Sequence, residues 1–336
     1  MTDMKIVIEK SGTGLDISEL VKSVEITGDS TRFHRTCSIS LISTTDGRTP
    51  AIKLEEGSSV RFIYANKTRF YGVLFAQELD SNGDMTITAH DTNAYLAKNT
   101  DSRIFTNKKA SEIISSLTKD FDVPSGSIAD TGYVIPYLRL ANMTIYEMIL
   151  KALTLTRKQT GKRFFIGCDD NGKLTLKSGV DGDRYLFQDG ENLISASYSR
   201  SIEDTKTQVK VIGGKKGSET VVTVKDAAKR DKYGTLQAYE EMDESATASQ
   251  VKQRADTLLK EQSVVAEQLQ AEVLGVPEVD VGTAVYINNE MTGIACGYYV
   301  TSITHNYADV HTMSLELTKT YELPDTTIND DELKKE

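Results

Sequence analysis

The chain carries one pattern twice, more than two hundred residues apart. Gly57 to His90 reads GSSVRFIYANKTRFYGVLFAQELDSNGDMTITAH, and Gly282 to Thr318 reads GTAVYINNEMTGIACGYYVTSITHNYADVHTMSLELT. In each stretch a valine stands three residues after the opening glycine (Val60, Val285). A second glycine follows fifteen residues after the first (Gly72, Gly297), then a bulky run (Val73-Leu74-Phe75, Tyr298-Tyr299-Val300). A polar turn leads to a strand opening on methionine, Met85 at an offset of 28 and Met313 at an offset of 31. Tyr299, Thr301 and Ile303 alternate with their neighbours, as do Met313, Leu315 and Leu317, which is the period of antiparallel strands with one inward face. Agreement at several offsets goes beyond the glycine-bounded alternation that β-meanders share, and reads as one small β-barrel motif used twice.

The rest of the chain falls into place around these copies. Lys5–Lys10, Ser18–Ile26 and the alternation of Cys37, Ile39 and Leu41 with serines predict strands, so residues 1 to 100 read as nearly all β. Asp80-Ser81-Asn82-Gly83-Asp84 and Asp169-Asp170-Asn171-Gly172 read as hairpin tips, with Asn-Gly supplying the positive φ angles. Between them the period changes. Ala110, Ile113, Ile114, Leu117 and Phe121 share one helical face, and Pro124 prevents continuation. A second helix opens at Thr144, where Thr144 and Glu147 form a capping box and Met143 can staple onto Met148, and Gly161 suits its end. Strands return at Leu193–Ser199, Thr207–Ile212 and Glu219–Lys225; residues 226–245 read as polar and irregular, and Ser245 as the cap of a helix over 246–262.

The predicted fold class is therefore α+β, mainly β: two related small β-barrels with an α+β insert and a short helical segment before the closing barrel. The first barrel covers residues 1–100, with return strands at 190–213 as candidates to complete it. The insert covers 101–188, and the second barrel 189–322 with a polar and helical insertion at 226–262. Residues 323–336 read as a flexible acidic and polar tail.

Composition narrows the function. A chain of 336 residues with a formal net charge of −10 lacks the basic excess of a tight nucleic-acid or membrane binder. Cys37, Cys168 and Cys296 are odd in number and set in apolar strand patterns, which predicts buried free thiols and a reducing compartment. The first ten residues lack the apolar core of a signal peptide, and no run approaches the roughly 18 apolar residues of a membrane span.

The candidate chemistry is sparse. Gly213-Gly214-Lys215 lacks the spacing of a phosphate loop and reads as a turn. Asp80-x-Asn82-x-Asp84 has Met85 where a calcium loop needs glycine and Asp91 where it needs the closing glutamate. His305 and His311 lie six apart around a turn without an HExxH or CxxC pattern. Tyr298-Tyr299 and Phe164-Phe165 read as wall and core rather than as a platform for bases. No catalytic, cofactor-binding or metal-binding residue is assigned, no cofactor is expected, and the expectation is a non-enzyme. The residues singled out are the repeated structural positions Gly57, Val60, Gly72, Met85, Gly282, Val285, Gly297 and Met313.

Several local features then carry a resemblance: Gly282-Thr283-x-Val285, Gly297-Tyr298-Tyr299-Val300-Thr301-Ser302-Ile303-Thr304-His305, His311-Thr312-Met313-Ser314-Leu315, Asp91-Thr92-Asn93-Ala94-Tyr95-Leu96 and Tyr233-Gly234. Over residues 1–322 the chain resembles the baseplate hub proteins of contractile phage tails, the late control protein D group and more closely the XkdQ/YqbQ type. The resemblance implies a homotrimer that joins a sixfold tail tube to a threefold central spike. It also implies contacts with tape-measure and baseplate wedge proteins, and a place in the baseplate of a virion or particle such as a phage-tail-like bacteriocin, assembled in the bacterial host cytoplasm. The rival expectation is a tail-associated peptidoglycan hydrolase or peptidase using a carboxylate with His305 or His311.

Overall fold

A computed structural model describes residues 4–10, 12–32, 34–44, 46–178, 184–319, 326 and 328–334. The chain forms two compact units, Met1–Ala196 with Gln270–Glu336, and Ser197–Leu269.

The larger unit opens with β1 (Met4–Lys10), β2 (Thr13–Asp16), β3 (Val21–Asp29), β4 (Thr36–Ile42), β5 (Ser59–Tyr64), β6 (Lys67–Leu79) and β7 (Asp84–His90). The insert follows as α1 (Ala94–Lys98), β8 (Thr100–Lys109), α2 (Ala110–Asp120), β9 (Ser125–Ile128), β10 (Val134–Thr144), α3 (Ile145–Thr160), β11 (Phe164–Cys168) and β12 (Leu174–Ser178). Then come β13 (Arg184–Gln188) and β14 (Leu193–Ser201). The smaller unit holds β15 (Gln208–Gly213), β16 (Thr220–Lys225), α4 (Ala227–Tyr233), β17 (Gln237–Glu241) and α5 (Ala248–Gln262). The chain returns along β18 (Ala266–Leu274) and ends its sheet with β19 (Ala284–Asn289), β20 (Ile294–Tyr307) and β21 (His311–Thr318).

The fold is mainly β, as the alternation predicts, but the strands do not close into two barrels. They lie in one 13-stranded sheet whose path runs β14-β18-β21-β20-β3-β4-β7-β6-β5-β1-β2, with β19 paired to both β20 and β13. Within this sheet one six-strand order occurs twice. The first set runs β1-β5-β6-β7-β4-β3 and the second β13-β19-β20-β21-β18-β14. Each set also uses its strands in the same chain order, so the repeat extends beyond the two meanders to three further strands.

The first core lies under the first set. Val60, Phe62, Phe70, Leu74, Met85, Ile87, Ile39 and Val24 alternate inward and are almost wholly buried, joined by Tyr307 from β20. Each such side chain contributes about 1.5–3 kcal/mol by leaving water. The insert has its own core, where the apolar faces of α2 and α3 meet β8, β10, β11 and β12. Thr144 caps α3 with Glu147 reciprocating, and Gly161 ends it at φ 70°, as the sequence predicts. In the smaller unit α5 covers a three-stranded sheet of order β16-β15-β17, with Val209, Val211, Val251, Ala255 and Leu258 between them.

Several expectations are corrected. Strands over 190–213 do not complete the first set: β14 pairs with β18, and β15 belongs to the three-stranded sheet. β13 pairs with β19, so the second set begins inside the span read as insert. The segment 226–245 contains α4 and β17, and α5 is capped by Thr247, whose hydroxyl accepts from the Gln250 N–H, rather than by Ser245. At both hairpin tips only the glycine has positive φ; the aspartate Oδ1 accepts two backbone N–H groups, from Asn82 and Asp84 in one and from Asn171 and Lys173 in the other. Cys37 is buried, but Cys168 and Cys296 are only half-buried. Much of the 323–336 tail lies outside the described residues. Of the rest, Ile328 packs on the insert core and Glu332 holds Lys151 at 2.5 Å, so this part is docked.

Candidate functional site

The two strand sets meet along β3 and β20. The pairing is antiparallel from Ser302 opposite Asp29 to Tyr307 opposite Val24. Ser30 N–H extends it by donating to the Thr301 carbonyl at 2.8 Å. Gly28 sits in the seam because Val281 and Ile303 stand 3.2 and 3.4 Å from where a Cβ would be.

Beside the seam three segments bring charged groups together, with Asp91 buried, Arg35 mostly buried and Asp280 exposed. Arg35 precedes β4, Asp91 follows β7, and Asp280 precedes β19. Asp91 is fully buried; its Oδ2 accepts the Arg35 backbone N–H at 2.9 Å and its Oδ1 that of Asn93 at 3.1 Å. Burial pushes the Asp91 carboxyl up to about 6, against the pull of the Arg35 guanidinium and these two N–H groups. Burial also works against the charge on Arg35, but Asp280 and Asp91 outweigh it and hold the guanidinium protonated. Arg35 Nε lies 3.7 Å from Asp91 and its Nη1 4.0 Å from Asp280. A second pair, Arg69 to Glu278 at 2.9 Å, ties β6 to the loop before β19.

The histidines form part of the same junction. His305 Nε2 is 2.9 Å from the Val279 carbonyl, so it carries the proton. Its Nδ1 is then the acceptor for His311 Nε2–H at 3.0 Å. Tyr307 stacks on His311 with centroids 4.0 Å apart and meets Phe62 edge-on at 4.8 Å. Burial, then the neighbouring His305, lowers the His311 pKa to about 4. Both nitrogens of His305 are thus engaged in structure. Cys168 has its thiol pushed up by burial, which leaves it protonated and a poor nucleophile. Among the described residues no cluster of three or more histidine, cysteine or carboxylate groups is placed to hold a metal ion. A cavity of about 120 Å³ lies by Arg35, His34, Thr154 and Cys168. The arrangement links the two strand sets beside their seam by ion pairs, hydrogen bonds and stacked rings.

The repeated positions fall as follows. Gly57 and Gly282 both open their motif at left-handed φ, 83° and 87°. Each makes the same closing ladder: Gly57 N–H to Leu74 O and Leu74 N–H to Ser58 O, Gly282 N–H to Val300 O and Val300 N–H to Thr283 O. Val60, Val285, Met85 and Met313 are buried, and the methionines sit opposite Leu79 and His305. The second glycines do not coincide. Gly72 is opposite Val60, but Tyr298 is opposite Val285, one residue past Gly297. Sequence reasoning missed Arg35, Asp280 and Tyr307. Asp91 entered it only in the rejected calcium-loop pattern and as part of Asp91-Thr92-Asn93, with no sign that its carboxylate is buried.

The same fold occurs in solved tail proteins. The solved 43 kDa tail protein of prophage MuSo2 from Shewanella oneidensis shares the fold over 94% of this chain and 98% of its own, at a TM-score of 0.69 and 15% identity. The family model described as YQBQ-like matches residues 24–318, and the chain belongs to that family. Two relatives from Bacillus subtilis (strain 168) are YqbQ, 32% identical, and the phage-like element PBSX protein XkdQ, 33% identical. Each aligns over 312 residues, 91% of this chain and 95% of the relative. No helix among the described residues is long and apolar enough to cross a membrane.

Proposed function

We propose that this chain is the baseplate hub of a contractile injection apparatus, a ring of three copies that adapts a sixfold tail tube to a threefold central spike. The observation that carries this reading is the twofold occurrence of one six-strand order within a single sheet. Three such chains present six related modules to a sixfold tube, and the accessory parts remain threefold for the spike. The tube and spike proteins are the expected direct partners, with tape-measure and wedge proteins as further neighbours. The net charge of −10 suits a particle through which nucleic acid passes without sticking. The ion pairs and stacked rings of the junction favour a mechanical role, since they tie the two modules together. Sedimentation of the chain with and without its spike tests this: trimers are expected, and a chain that stays monomeric in the presence of spike and tube contradicts it.

A further inference from the structure

The insert leaves one strand edge unpaired beside a cleft. β11 is an outer strand of its sheet, with β12 on one side only. Leu174 N–H donates to Pro124 O at 2.8 Å and Leu176 O accepts Ala129 N–H at 2.9 Å, so both residues turn their backbone groups toward the β9 side. Their partners in the antiparallel ladder, Cys168 opposite Leu174 and Ile166 opposite Leu176, therefore turn theirs the other way. By the same alternation Phe164, opposite Ser178, does so too. The backbone groups of Phe164, Ile166 and Cys168 meet no backbone partner among the described residues.

A cavity of about 120 Å³ and another of about 810 Å³ share residues 165–168, Asp280 and Val281 as lining, so both lie against β11 as parts of one cleft. The larger part falls within the roughly 300–1,000 Å³ of ligand sites. The smaller is walled by Leu150, Leu153 and Phe164. It is near the roughly 150 Å³ that admits a benzene ring, so it has room for one branched aliphatic side chain. The two sides of β11 differ. Phe164 and Ile166 face the insert core, whereas Lys177, opposite Phe165, stands on the other face with Arg184 and Tyr286 in the larger part.

The charge of the cleft selects its occupant. In the larger part the carboxylates are already engaged, Glu278 by Arg69 at 2.9 Å and Asp280 by Arg35 at 4.0 Å. Lys177 and Arg184 are exposed there and make no ion pair among the described residues. The smaller part holds Asp29 and Asp91 beside Arg32, Arg35 and Arg157, so it carries no acidic excess. In a chain of net charge −10 the cleft is thus a positive patch. We propose that β11 receives an extended acidic segment of a partner protein as an added strand. Backbone groups of the segment pair with Phe164, Ile166 and Cys168. Its side chains alternate between the two faces: a branched apolar one enters the smaller cavity, and carboxylates meet Lys177 and Arg184. The cleft lies within one copy, so this site is independent of the ring proposed above.

A fluorescein-labelled heptapeptide of alternating valine and glutamate, added to the full-length chain, tests this by anisotropy and by hydrogen exchange. Saturable binding is expected, with slowed exchange at the Ile166 and Cys168 amides. The same peptide with lysine for glutamate should bind about tenfold more weakly, as should the parent peptide to a chain carrying Lys177→Glu and Arg184→Glu. N-methylation of one alternate set of the peptide's amides should abolish binding, and N-methylation of the other set should leave it, because an added strand turns only every second residue toward its neighbour. The proposal is overturned by the absence of saturable binding, or by binding that leaves those two amides unprotected. Equal affinity for the two peptides, an unchanged affinity in the double variant, or equal loss from either methylation overturns it as well.

Discussion

The two six-strand sets share an order and differ at their margins. In the first, β1 runs antiparallel to β5; in the second, the corresponding β13 runs parallel to β19. In the first, a short loop joins β3 to β4; in the second, the equivalent connection between β14 and β18 holds β15, β16, α4, β17 and α5. Each set has an irregularity in its long strand, between Leu74 and Ala76 and between Val300 and Ser302. The ladder and its inward apolar side chains are thus repeated, while edges and connections diverge. That is what a scaffold needs if like modules must line a ring and unlike accessories must meet different neighbours.

The comparison can be broken most forcefully at the methionines. Met85→Ala and Met313→Ala each remove a buried side chain from equivalent places, and each is expected to cost about 2–5 kcal/mol in denaturant unfolding. A large loss at one and none at the other would mean the cores are not equivalent. The second glycines should behave unequally. A Cβ on Gly72 would stand 2.3 Å from the His90 carbonyl oxygen, whereas on Gly297 the nearest atom is 3.9 Å away. Gly72→Ala should cost about 2–3 kcal/mol by overpacking against backbone, and Gly297→Ala under about 1 kcal/mol. The opening glycines should again match, at about 1–2 kcal/mol each for Gly57→Ala and Gly282→Ala, because both sit at left-handed φ.

A small expected effect is a pH dependence to which both sets contribute. His311 has a folded pKa of about 4, below its unfolded value, so the unfolded chain binds the proton more tightly. Its contribution is present above about pH 6.5 and is lost as pH falls toward 4. His34, also lowered to about 4 by burial, acts the same way in the first set. Asp91, raised to about 6, acts oppositely, since the folded chain holds its proton more tightly between about pH 4 and 6. Arg69 and Glu278 also face His311 and oppose each other. His311→Asn should flatten the fall in stability between pH 6.5 and 4 by about 1 kcal/mol, a half-buried group being partly screened. An unchanged slope in urea titrations at the two pH values would remove His311 from the account.

Much of this was legible in the chain. The period-two runs, the helical faces of α2 and α3, the Thr144 cap and the paired opening glycines and methionines follow from local rules. Partners two hundred residues apart do not, so one continuous sheet could not be told from two barrels. β13, β14 and β18 lack the echo, because topology repeats them without repeating side chains. α4, with seven residues, and β17, with five, are too short for a period to show. The coincidence of Gly72 with Gly297 misled by one residue because register is set by the whole ladder. The Arg35–Asp91–Asp280 junction was invisible, since charged residues scattered in sequence give no sign that folding will bring them together.

The account stands most directly on the copy number and arrangement of this chain in the assembled particle, imaged end-on by electron cryomicroscopy. Three copies, with the β3–β7 and β14–β21 modules alternating around the axis as six near-equivalent lobes, is the predicted result. Any other number of copies, or two modules facing the axis by unlike surfaces, contradicts it.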